Sequence, residues 1–399
     1  MTQDAHVDFT DPAFQADPHP VYAQWRRTGP VRRTRLPSGL TAWVVTRYED
    51  ARRALADPRL SKQAAFSVGS SQVVNQPASP ASVLSRHMLA VDPPDHTRLR
   101  RLVSAAFTAR RIESLRPRIA EITRDLLDAV EGRERVDLID AFAFPLPIQV
   151  ICELLGVPAE DRDAFRAWSN VIVAGSQSGD RLEPAIREMV GYILAQIAER
   201  RARPGDDLLS GLIQVRDEED RLTEAELSSM VFLLLIAGHE TTVNLIGNGA
   251  YLLLREREQW ERLRGDLTLL PTAIEEFLRY EGPVETSTFR VATEDLEIGG
   301  VTVSAGDPVV IVLLSANRDD DRFPDAAELR LDRAQNPHLA FGHGIHYCLG
   351  APLARLEAQI AFTALLARHP GLRLAVPAED MRWRPGLLLR GLEELPVLL

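Results

Sequence analysis

The sequence has two cysteines, one lysine and no long apolar run, and these scarcities exclude several classes of protein. In a chain of 399 residues, Cys152 and Cys348 alone rule out a disulfide-based fold, and Cys152 lies in an apolar run typical of a structural thiol. Because the net charge is −11, nucleic acid is not expected as a partner, and Lys62 is the only lysine, so the other 45 of the 46 basic residues are arginines. No run approaches the roughly 20 apolar residues of a membrane span, and the acidic N-terminus does not resemble a signal peptide. We therefore expect a cytoplasmic protein without a membrane anchor.

Helical periodicity dominates residues 96–262, where apolar side chains recur at spacings of three and four. The longest helix is predicted over residues 223–258, which corresponds to about 50 Å at the helical rise per residue. Thr223 and Glu226 form a capping-box pattern at its start. Further helices are predicted over residues 47–57, 272–280 and 349–368.

Strand-like segments are short and scattered. Thr41–Thr46 predicts a strand, and residues 284–315 are β-like, with a hairpin predicted around Ala305–Gly306. Residues 61–89 show no periodicity and predict a long loop. No repeat, linker or charge block marks a boundary, so we expect residues 1–399 to form a single domain that is mainly α with small β-sheets.

Cys348 lies in the glycine-rich segment Phe341–Gly350, FGHGIHYCLG, at the start of a predicted helix. Glycines permit positive φ and the close approach of a flat group, and a helix N-terminus stabilises a thiolate. These features suit an axial haem ligand, because thiolate ligation favours O–O cleavage. Two alternatives stay open for this segment alone, a buried structural thiol and a zinc cluster. The zinc cluster would combine Cys348 with His338, His343 and His346.

A second candidate site lies midway along the long predicted helix, where Ala237–Thr242 reads AGHETT between apolar stretches. Glutamate and threonine on a helix commonly face solvent. In an apolar stretch, however, an unsatisfied buried polar group costs roughly 2–7 kcal/mol, so Glu240 and Thr241 require an explanation. Ala237 and Gly238 have little or no side chain, which would let a ligand approach the helix backbone.

Phe341–Gly350 follows the pattern Phe-x-x-Gly-x-x-x-Cys-x-Gly and resembles the haem-binding loop of the cytochrome P-450 superfamily. AGHETT is similar to the acid–alcohol pair of that family's oxygen-activating helix, and the similarity extends along essentially the whole chain. The resemblance implies a P-450-type fold with haem b between the long central helix and the cysteine loop. It implies that Cys348 holds the iron, that Glu240 relays protons, and that Thr241 holds oxygen and its water. The other haem contacts implied here are Ala237, Gly238, Phe341, Gly344 and Gly350.

The resemblance also assigns roles to charged residues elsewhere in the chain. Glu276 and Arg279, three apart on one helix face, match the family's structural pair, and Arg333 matches the third member of that network. Haem propionates need cationic or donor partners, for which arginine is well suited. The residues that match the propionate-binding positions are His96, Arg100, Arg290 and His346.

The reaction that the resemblance implies is a monooxygenation. One oxygen atom of O₂ enters an organic substrate, by hydroxylation or epoxidation, and the other leaves as water. Electrons are expected from NAD(P)H through a separate ferredoxin and ferredoxin reductase, with the P-450 acting as a monomer. The arginine-rich, acid-free stretch from Arg98 to Arg111 is either a solvated helix face or a docking patch for an acidic electron donor. A non-catalytic haem protein of the same fold is the alternative, which intact Glu240 and Thr241 disfavour.

The substrate pocket is expected along four stretches of the chain, residues 61–89, 163–182, 284–288 and 387–389. Val284, Thr286 and Leu388 are the lining residues proposed within them. Most side chains in these stretches are apolar or small and polar. The composition favours a bulky, mostly apolar molecule, such as a polyketide, a terpenoid, a peptide natural product or a steroid.

Overall fold

Helices make up most of the regular structure in the computed structural model, which describes residues 7–65, 86–158, 161–214 and 221–399. The chain divides into two compact units. The first unit comprises Met1–Ser61, Thr123–Ala143 and Thr241–Leu399, and the second comprises Lys62–Ile122 and Phe144–Glu240. Most of the predicted loop over residues 61–89, namely 66–85, lies outside the described residues.

The described residues form helices along most of the chain. In chain order they are α1 Pro12–Ala16, α2 His19–Thr28, α3 Tyr48–Ala56, α4 Asp95–Ala106, α5 Ala109–Ser114, α6 Arg116–Asp128, α7 Pro145–Leu155, α8 Arg162–Ala174, α9 Leu182–Ala202, α10 Leu208–Gln214, α11 Glu224–Arg255, α12 Arg257–Gly265, α13 Leu270–Glu281, α14 Leu313–Ala316 and α15 Ala351–Arg368. The predicted helices over 47–57, 223–258, 272–280 and 349–368 correspond to α3, α11, α13 and α15, so these predictions are confirmed within a few residues.

Helix α11 begins with the predicted capping box. The Thr223 N–H donates to Glu226 Oε2 at 2.8 Å, and the Glu226 N–H donates to Thr223 Oγ1 at 3.3 Å. These reciprocal bonds satisfy donors that the first helical turn would otherwise leave without partners. The helix is long and apolar enough to cross a membrane. However, 61% of its most apolar 18-residue segment is buried inside the protein, as is common for core helices.

Three small sheets belong to the first unit. Their strands are β1 Val31–Arg35, β2 Thr41–Val45, β3 Leu60–Ser61, β4 Arg135–Asp137, β5 Arg290–Ala292, β6 Leu296–Ile298, β7 Val301–Val303, β8 Pro308–Ile311, β9 Arg373–Leu374 and β10 Pro396–Leu398. The five-stranded sheet has the order β1-β2-β8-β5-β3, and the others are β4-β10-β9 and β6-β7. The mainly α class with small sheets is therefore as predicted.

The hairpin predicted around Ala305–Gly306 is wrong, although a turn is present there. Strand β7 pairs with β6, whereas β8 pairs with β2 in parallel and with β5 in antiparallel orientation. The chain thus changes sheets at this turn. The apolar run of β8 had indicated a strand, but its burial on both faces is typical of a central strand, and periodicity cannot name a strand's partners.

Alternate residues of β8 enter two different hydrophobic clusters. Val309 and Ile311 pack into the cluster that includes Leu55 of α3, while Val310 packs into the cluster that includes Trp25 of α2. Both faces of the sheet are therefore covered by helices. This packing fixes β5, and with it Arg290, beside β8.

Candidate active site

The Cys348 thiol is exposed at the end of a tight glycine turn in the first unit. Gly342 and Gly344 both have φ of +74°, in the left-handed region that favours glycine. The Cys348 N–H donates to the Phe341 carbonyl at 2.9 Å, which closes the turn. Because α15 begins at Ala351, the thiol lies just before a helix N-terminus.

The turn packs against the end of α3, and this contact explains the glycine at position 344. A Cβ added to Gly344 would lie 3.1 Å from Ala56 Cα and 3.3 Å from the Leu55 carbonyl oxygen. A Cβ added to Gly350 would lie 3.8 Å from Cys348 Sγ, in ordinary contact. Backbone packing therefore requires glycine at 344 more strictly than at 350.

Glu275 of α13 braces the cysteine turn from the side. Arg355 of α15 donates to it through Nε at 2.6 Å and Nη2 at 2.8 Å, and the Arg355 guanidinium lies 4.5 Å from the centre of the Phe341 ring. Burial opposes ionisation of Glu275, but Arg355 and His338 more than offset it and hold its pKa at about 2. The ionised Glu275 therefore joins α13 to α15 through Arg355, which in turn contacts the Phe341 ring.

The zinc alternative finds no support in the described part of the chain. His338 Nε2 lies 3.0 Å from Glu275 Oε2, and its Nδ1 accepts from the Ala340 N–H at 3.2 Å. No group of three or more His, Cys, Asp and Glu side chains among the described residues could hold a metal ion. The other cysteine, Cys152, is fully buried on α7.

The structure brings Glu276, Arg279 and Arg333 together in a buried network. Arg279 donates to both Glu276 oxygens at 2.8 Å, and Arg333 Nε lies 3.1 Å from Glu276 Oε2. The remaining Arg279 donors reach the carbonyls of Asn317, Ala326 and Glu328 at 2.9 to 3.0 Å. The network thus ties α13 to the irregular segment that precedes the cysteine turn.

Of the four residues predicted to bind propionates, two belong to the first unit and two to the second. In the first unit, Arg290 is buried on β5 and His346 lies in the turn before Cys348. In the second unit, His96 is buried and Arg100 is half-buried on α4. Burial, with a smaller contribution from the positive charge of Arg100, lowers the pKa of His96, so its imidazole is neutral at neutral pH.

Glu240 is buried in the second unit, and Thr241 follows it as a half-buried residue. The neighbouring Gly238 faces α7, because a Cβ added there would lie 3.0 Å from Ile151 Cδ1. Helix packing therefore accounts for Gly238 without any ligand. Ala237, in contrast, is exposed.

His239, which the sequence analysis did not assign, is fully buried next to Glu240. Its Nδ1 lies 2.7 Å from the Leu235 carbonyl, and its Nε2 lies 3.2 Å from Ser169 Oγ and 3.3 Å from Glu240 Oε1. The contact with Glu240 is close but is not aligned as a hydrogen bond. A histidine within the apolar run was the available signal for this cluster.

The three proposed pocket residues lie together in the first unit. Val284 forms a β-bridge with Leu389, and the Thr286 hydroxyl donates to the Leu387 carbonyl at 2.8 Å. Leu388, between these partners, is 46% exposed, so it is available to an apolar ligand. We refer to residues 284–286 and 387–389 as the paired wall.

Glu285 lies behind the paired wall, where it accepts a hydrogen bond from the Tyr22 hydroxyl at 2.5 Å. Burial raises the pKa of Glu285 to about 7, against the opposing effects of Arg390 and Tyr22. The wall is therefore backed by a carboxyl group that titrates near neutral pH.

Comparison with known proteins identifies the family. Residues 179–370 match the family model described as Cytochrome P450. Cytochrome P450 107B1 of Saccharopolyspora erythraea is 52% identical over 394 residues, which cover 97% of this chain and 96% of that protein. The chain belongs to the cytochrome P450 family. The P450 monooxygenase PikC of Streptomyces venezuelae is 48% identical, with 96% of this chain and 91% of PikC covered.

Solved structures agree with the fold of this P450. The tirandamycin C-bound P450 monooxygenase TamI has a TM-score of 0.91 and 52% identity, and 98% of this chain and 99% of TamI are covered. The predicted fold and reaction class are thus confirmed. The protein is a haem-dependent monooxygenase of secondary metabolism, with thiolate ligation of the iron.

The residues of the first unit fit a haem group on their own chemistry. Cysteine is usually buried, yet Cys348 is exposed, and Ile345 and Tyr347 beside it are 48% and 40% exposed. An exposed thiol flanked by apolar side chains at a helix N-terminus suits a flat apolar group that carries iron. The guanidinium of Arg290 and the imidazole of His346 supply donors suited to carboxylates.

Proposed function

We propose that Cys348 is the axial ligand of haem b, and that His96, Arg100, Arg290 and His346 bind its propionates. The exposed Cys348 thiol in its glycine turn is the observation that carries this assignment. Phe341, Gly344 and Gly350 shape the turn, and Ala237 presents helix backbone. Haem, when bound, supplies the reductive activation of O₂.

Glu240 and Thr241 are proposed to handle the protons of this reaction. Glu240 is a buried carboxyl on a helix, which can hold a proton and release it to a reacting oxygen atom. The Thr241 hydroxyl, one residue later, can accept and donate hydrogen bonds to O₂ and to a water molecule. General acid catalysis of this kind contributes about 10²–10⁴-fold to a rate.

The substrate is proposed to be a bulky, mostly apolar polyketide product. The paired wall supports this, because it offers an exposed Leu388 beside Val284 while the Thr286 hydroxyl is already engaged by Leu387. Relatives include 6-deoxyerythronolide B hydroxylase of Saccharopolyspora erythraea and mycinamicin IV hydroxylase/epoxidase of Micromonospora griseorubida. Hydroxylation or epoxidation of such a substrate is consistent with the apolar surface of the paired wall and with the reactions for which these two relatives are named.

Electrons are proposed to come from NAD(P)H through a cytoplasmic ferredoxin and its reductase. Within the arginine stretch, Arg98 pairs with Glu226, and Arg111 donates to the carbonyls of Ala106 and Asp206. Arg101 and Arg110 are exposed. Because they are the exposed arginines of this stretch, whereas Arg98, Arg100 and Arg111 are half-buried, Arg101 and Arg110 are proposed to contact the acidic donor. The P450 is proposed to act as a monomer.

The ligand assignment is tested by a cysteine comparison. The purified wild-type holoenzyme and Cys152→Ser should each give the carbonyl-complex absorption band in the blue after reduction, and Cys348→Ser should lose it. Retention of that band in Cys348→Ser would overturn the assignment. Oxidation of NADPH that is matched by product formation then excludes a non-catalytic haem protein.

The substrate class is tested by spectral titration with tirandamycin C, mycinamicin IV and 6-deoxyerythronolide B as probes. We expect at least one polyketide to shift the haem spectrum, and Leu388→Asp to weaken its binding about tenfold by placing a charge on the wall. Leu267→Asp is the matched control, since Leu267 is 43% exposed and lies outside the wall. No shift with any of the three probes, or an equal effect of both substitutions, would contradict the proposal.

A further inference from the structure

His239 is held so that one ring nitrogen is fixed and the other faces the proposed proton donor. The carbonyl of Leu235 can only accept, so Nδ1, 2.7 Å away, carries a hydrogen. In the neutral ring Nε2 is then an acceptor, and in the imidazolium it is a donor. Nε2 lies 3.3 Å from Glu240 Oε1.

The surroundings of the ring keep it in this orientation. Phe144 and Phe165 meet it edge-on, with ring centres 5.8 and 5.9 Å away, and Ser169 Oγ lies 3.2 Å from Nε2. The ring is fully buried. Of the charged side chains on the helices that pack around His239, Arg166 of α8 lies over the Phe144 ring, with its guanidinium carbon 4.3 Å from the centre of that ring. Glu240 is the carboxyl group in contact with the ring.

We propose that His239 is a positioning residue that sets both the rotamer and the protonation of Glu240. This inference rests on the proposed role of Glu240 and extends it. When the pair holds one proton, it lies either on Oε1 as a carboxylic acid facing neutral Nε2, or on Nε2 as an imidazolium facing the carboxylate. Either form is attractive, and an ionised Glu240 next to a neutral ring is not stabilised in this way.

Ser169 supports the arrangement because its hydroxyl adapts to either form. It can donate to Nε2 when the ring is neutral and Glu240 is ionised, and it can share the Nε2 hydrogen with the Glu240 carboxylate when the ring is charged. A histidine whose only role was packing would not require these three polar neighbours, which are the Leu235 carbonyl at Nδ1 and the Ser169 hydroxyl and Glu240 carboxyl at Nε2.

The first test measures protonation directly, without turnover. Selective ¹⁵N labelling of the nine histidines is carried out on the diamagnetic ferrous carbonyl holoenzyme, and the signals lost in His239→Phe identify His239. We expect a protonated Nδ1, and an Nε2 chemical shift that changes in Glu240→Gln. An unprotonated Nδ1, or an Nε2 chemical shift that Glu240→Gln leaves unchanged, would overturn the proposal.

The second test follows reduced oxygen. Without added organic substrate, the fraction of NADPH electrons released as hydrogen peroxide is measured across pH for single and double variants. We expect His239→Phe to raise the peroxide fraction several-fold and to flatten its pH dependence, with His239→Gln intermediate. The double variant His239→Phe/Glu240→Gln should match Glu240→Gln alone, because His239 acts through Glu240.

Two controls separate the possible failures. His369→Phe replaces another histidine, which is half-buried after α15, and should leave the peroxide fraction unchanged. If His239→Phe does not fold, the signals lost in His239→Gln identify His239 instead, and Ser169→Ala should then change the Nε2 chemical shift in the same labelling experiment. If His239→Phe leaves the peroxide fraction unchanged while Glu240→Gln raises it, the inference about His239 is wrong and the proposed role of Glu240 stands. If Glu240→Gln itself leaves the peroxide fraction unchanged, the proposed role of Glu240 is wrong.

Discussion

Glu275 and Arg355 form a two-pronged ion pair between α13 and α15, with contacts of 2.6 and 2.8 Å. The neighbouring Glu276 points to a different set of partners, Arg279 and Arg333. Two adjacent glutamates of one helix thus hold the two sides of the cysteine turn, one the helix that follows it and the other the segment that precedes it.

Glu275→Gln should destabilise the protein at neutral pH by about 2 kcal/mol, because it removes a charge-assisted pair. The folded-state pKa of about 2 lies below the ordinary 4.5. The stability that Glu275 contributes is therefore complete above pH 4.5 and is lost as the pH falls towards 2. Urea denaturation of both proteins should show a difference that shrinks over this range. Exposed Glu261→Gln, which alters a surface pair on α12, is the control and should cause little change at any pH.

Arg279→Lys should destabilise the protein by about 3–5 kcal/mol and lower the yield of haem-loaded enzyme. Lysine cannot reproduce the planar fork that contacts Glu276 and three carbonyls. Arg330→Lys is a matched control on the exposed side of the same segment, where Arg330 pairs with Asp325 at 3.2 Å. Equal stability of the two variants in urea would show that the buried network is dispensable.

Glu285→Gln should stabilise the protein increasingly as the pH rises. The folded-state pKa of about 7 exceeds the ordinary 4.5, so in the wild type only the unfolded chain loses this proton between those values. Wild-type stability therefore declines from pH 4.5 to 7 through this group, by up to about 3 kcal/mol. Glutamine keeps an acceptor for Tyr22 and cannot ionise. A stability difference between variant and wild type that stays constant from pH 5 to 8 would contradict the raised pKa.

Gly344→Ala should weaken haem retention more than Gly342→Ala does. Both positions have φ of +74°, so both substitutions introduce backbone strain of about 1–2 kcal/mol. Only at Gly344 would the new Cβ press on α3, at 3.1 Å from Ala56, whereas at Gly342 the nearest atom is 3.7 Å away. Haem transfer to apomyoglobin measures retention, and equal transfer rates would show that the contact with α3 is unimportant.

Arg101→Glu/Arg110→Glu should slow reduction by ferredoxin at low salt by at least tenfold, with a smaller effect at high salt, because charge complementarity mainly raises association rates. Arg124→Glu/Arg187→Glu reverses two arginines that are 60% and 64% exposed elsewhere, which makes it a matched control. Stopped-flow reduction under carbon monoxide gives the rates. The docking patch would be refuted by the same slowing in both double variants.

The sequence predicted the elements whose signals are local. The capping box of Thr223 and Glu226 fixed the start of α11, and helical periodicity located α13 and α15. The pairing of β8 could not be predicted, since it depends on strands more than 250 residues away along the chain, such as β2.

The candidate site shows the same division between local and distant information. Motif spacing singles out Cys348, Glu240 and Glu276, and the structure brings Glu276 together with Arg279 and Arg333. At Gly238 the sequence predicts access for a ligand, and in the structure Ile151 of α7 packs against this glycine. Glu275 and His239 were missed because their roles depend on Arg355 and Ser169, which are distant in sequence. Such partners become visible only when the helices are packed.

The contrast between the two cysteines gives the protein a built-in chemical label. Cys152 is fully buried, whereas the Cys348 thiol is exposed. An alkylating reagent applied to the folded, haem-free chain should therefore modify Cys348 alone, and the mass of the product would count the modified sites. Since an iron-bound sulfur resists alkylation, the unmodified fraction would report how many molecules in a preparation carry their haem.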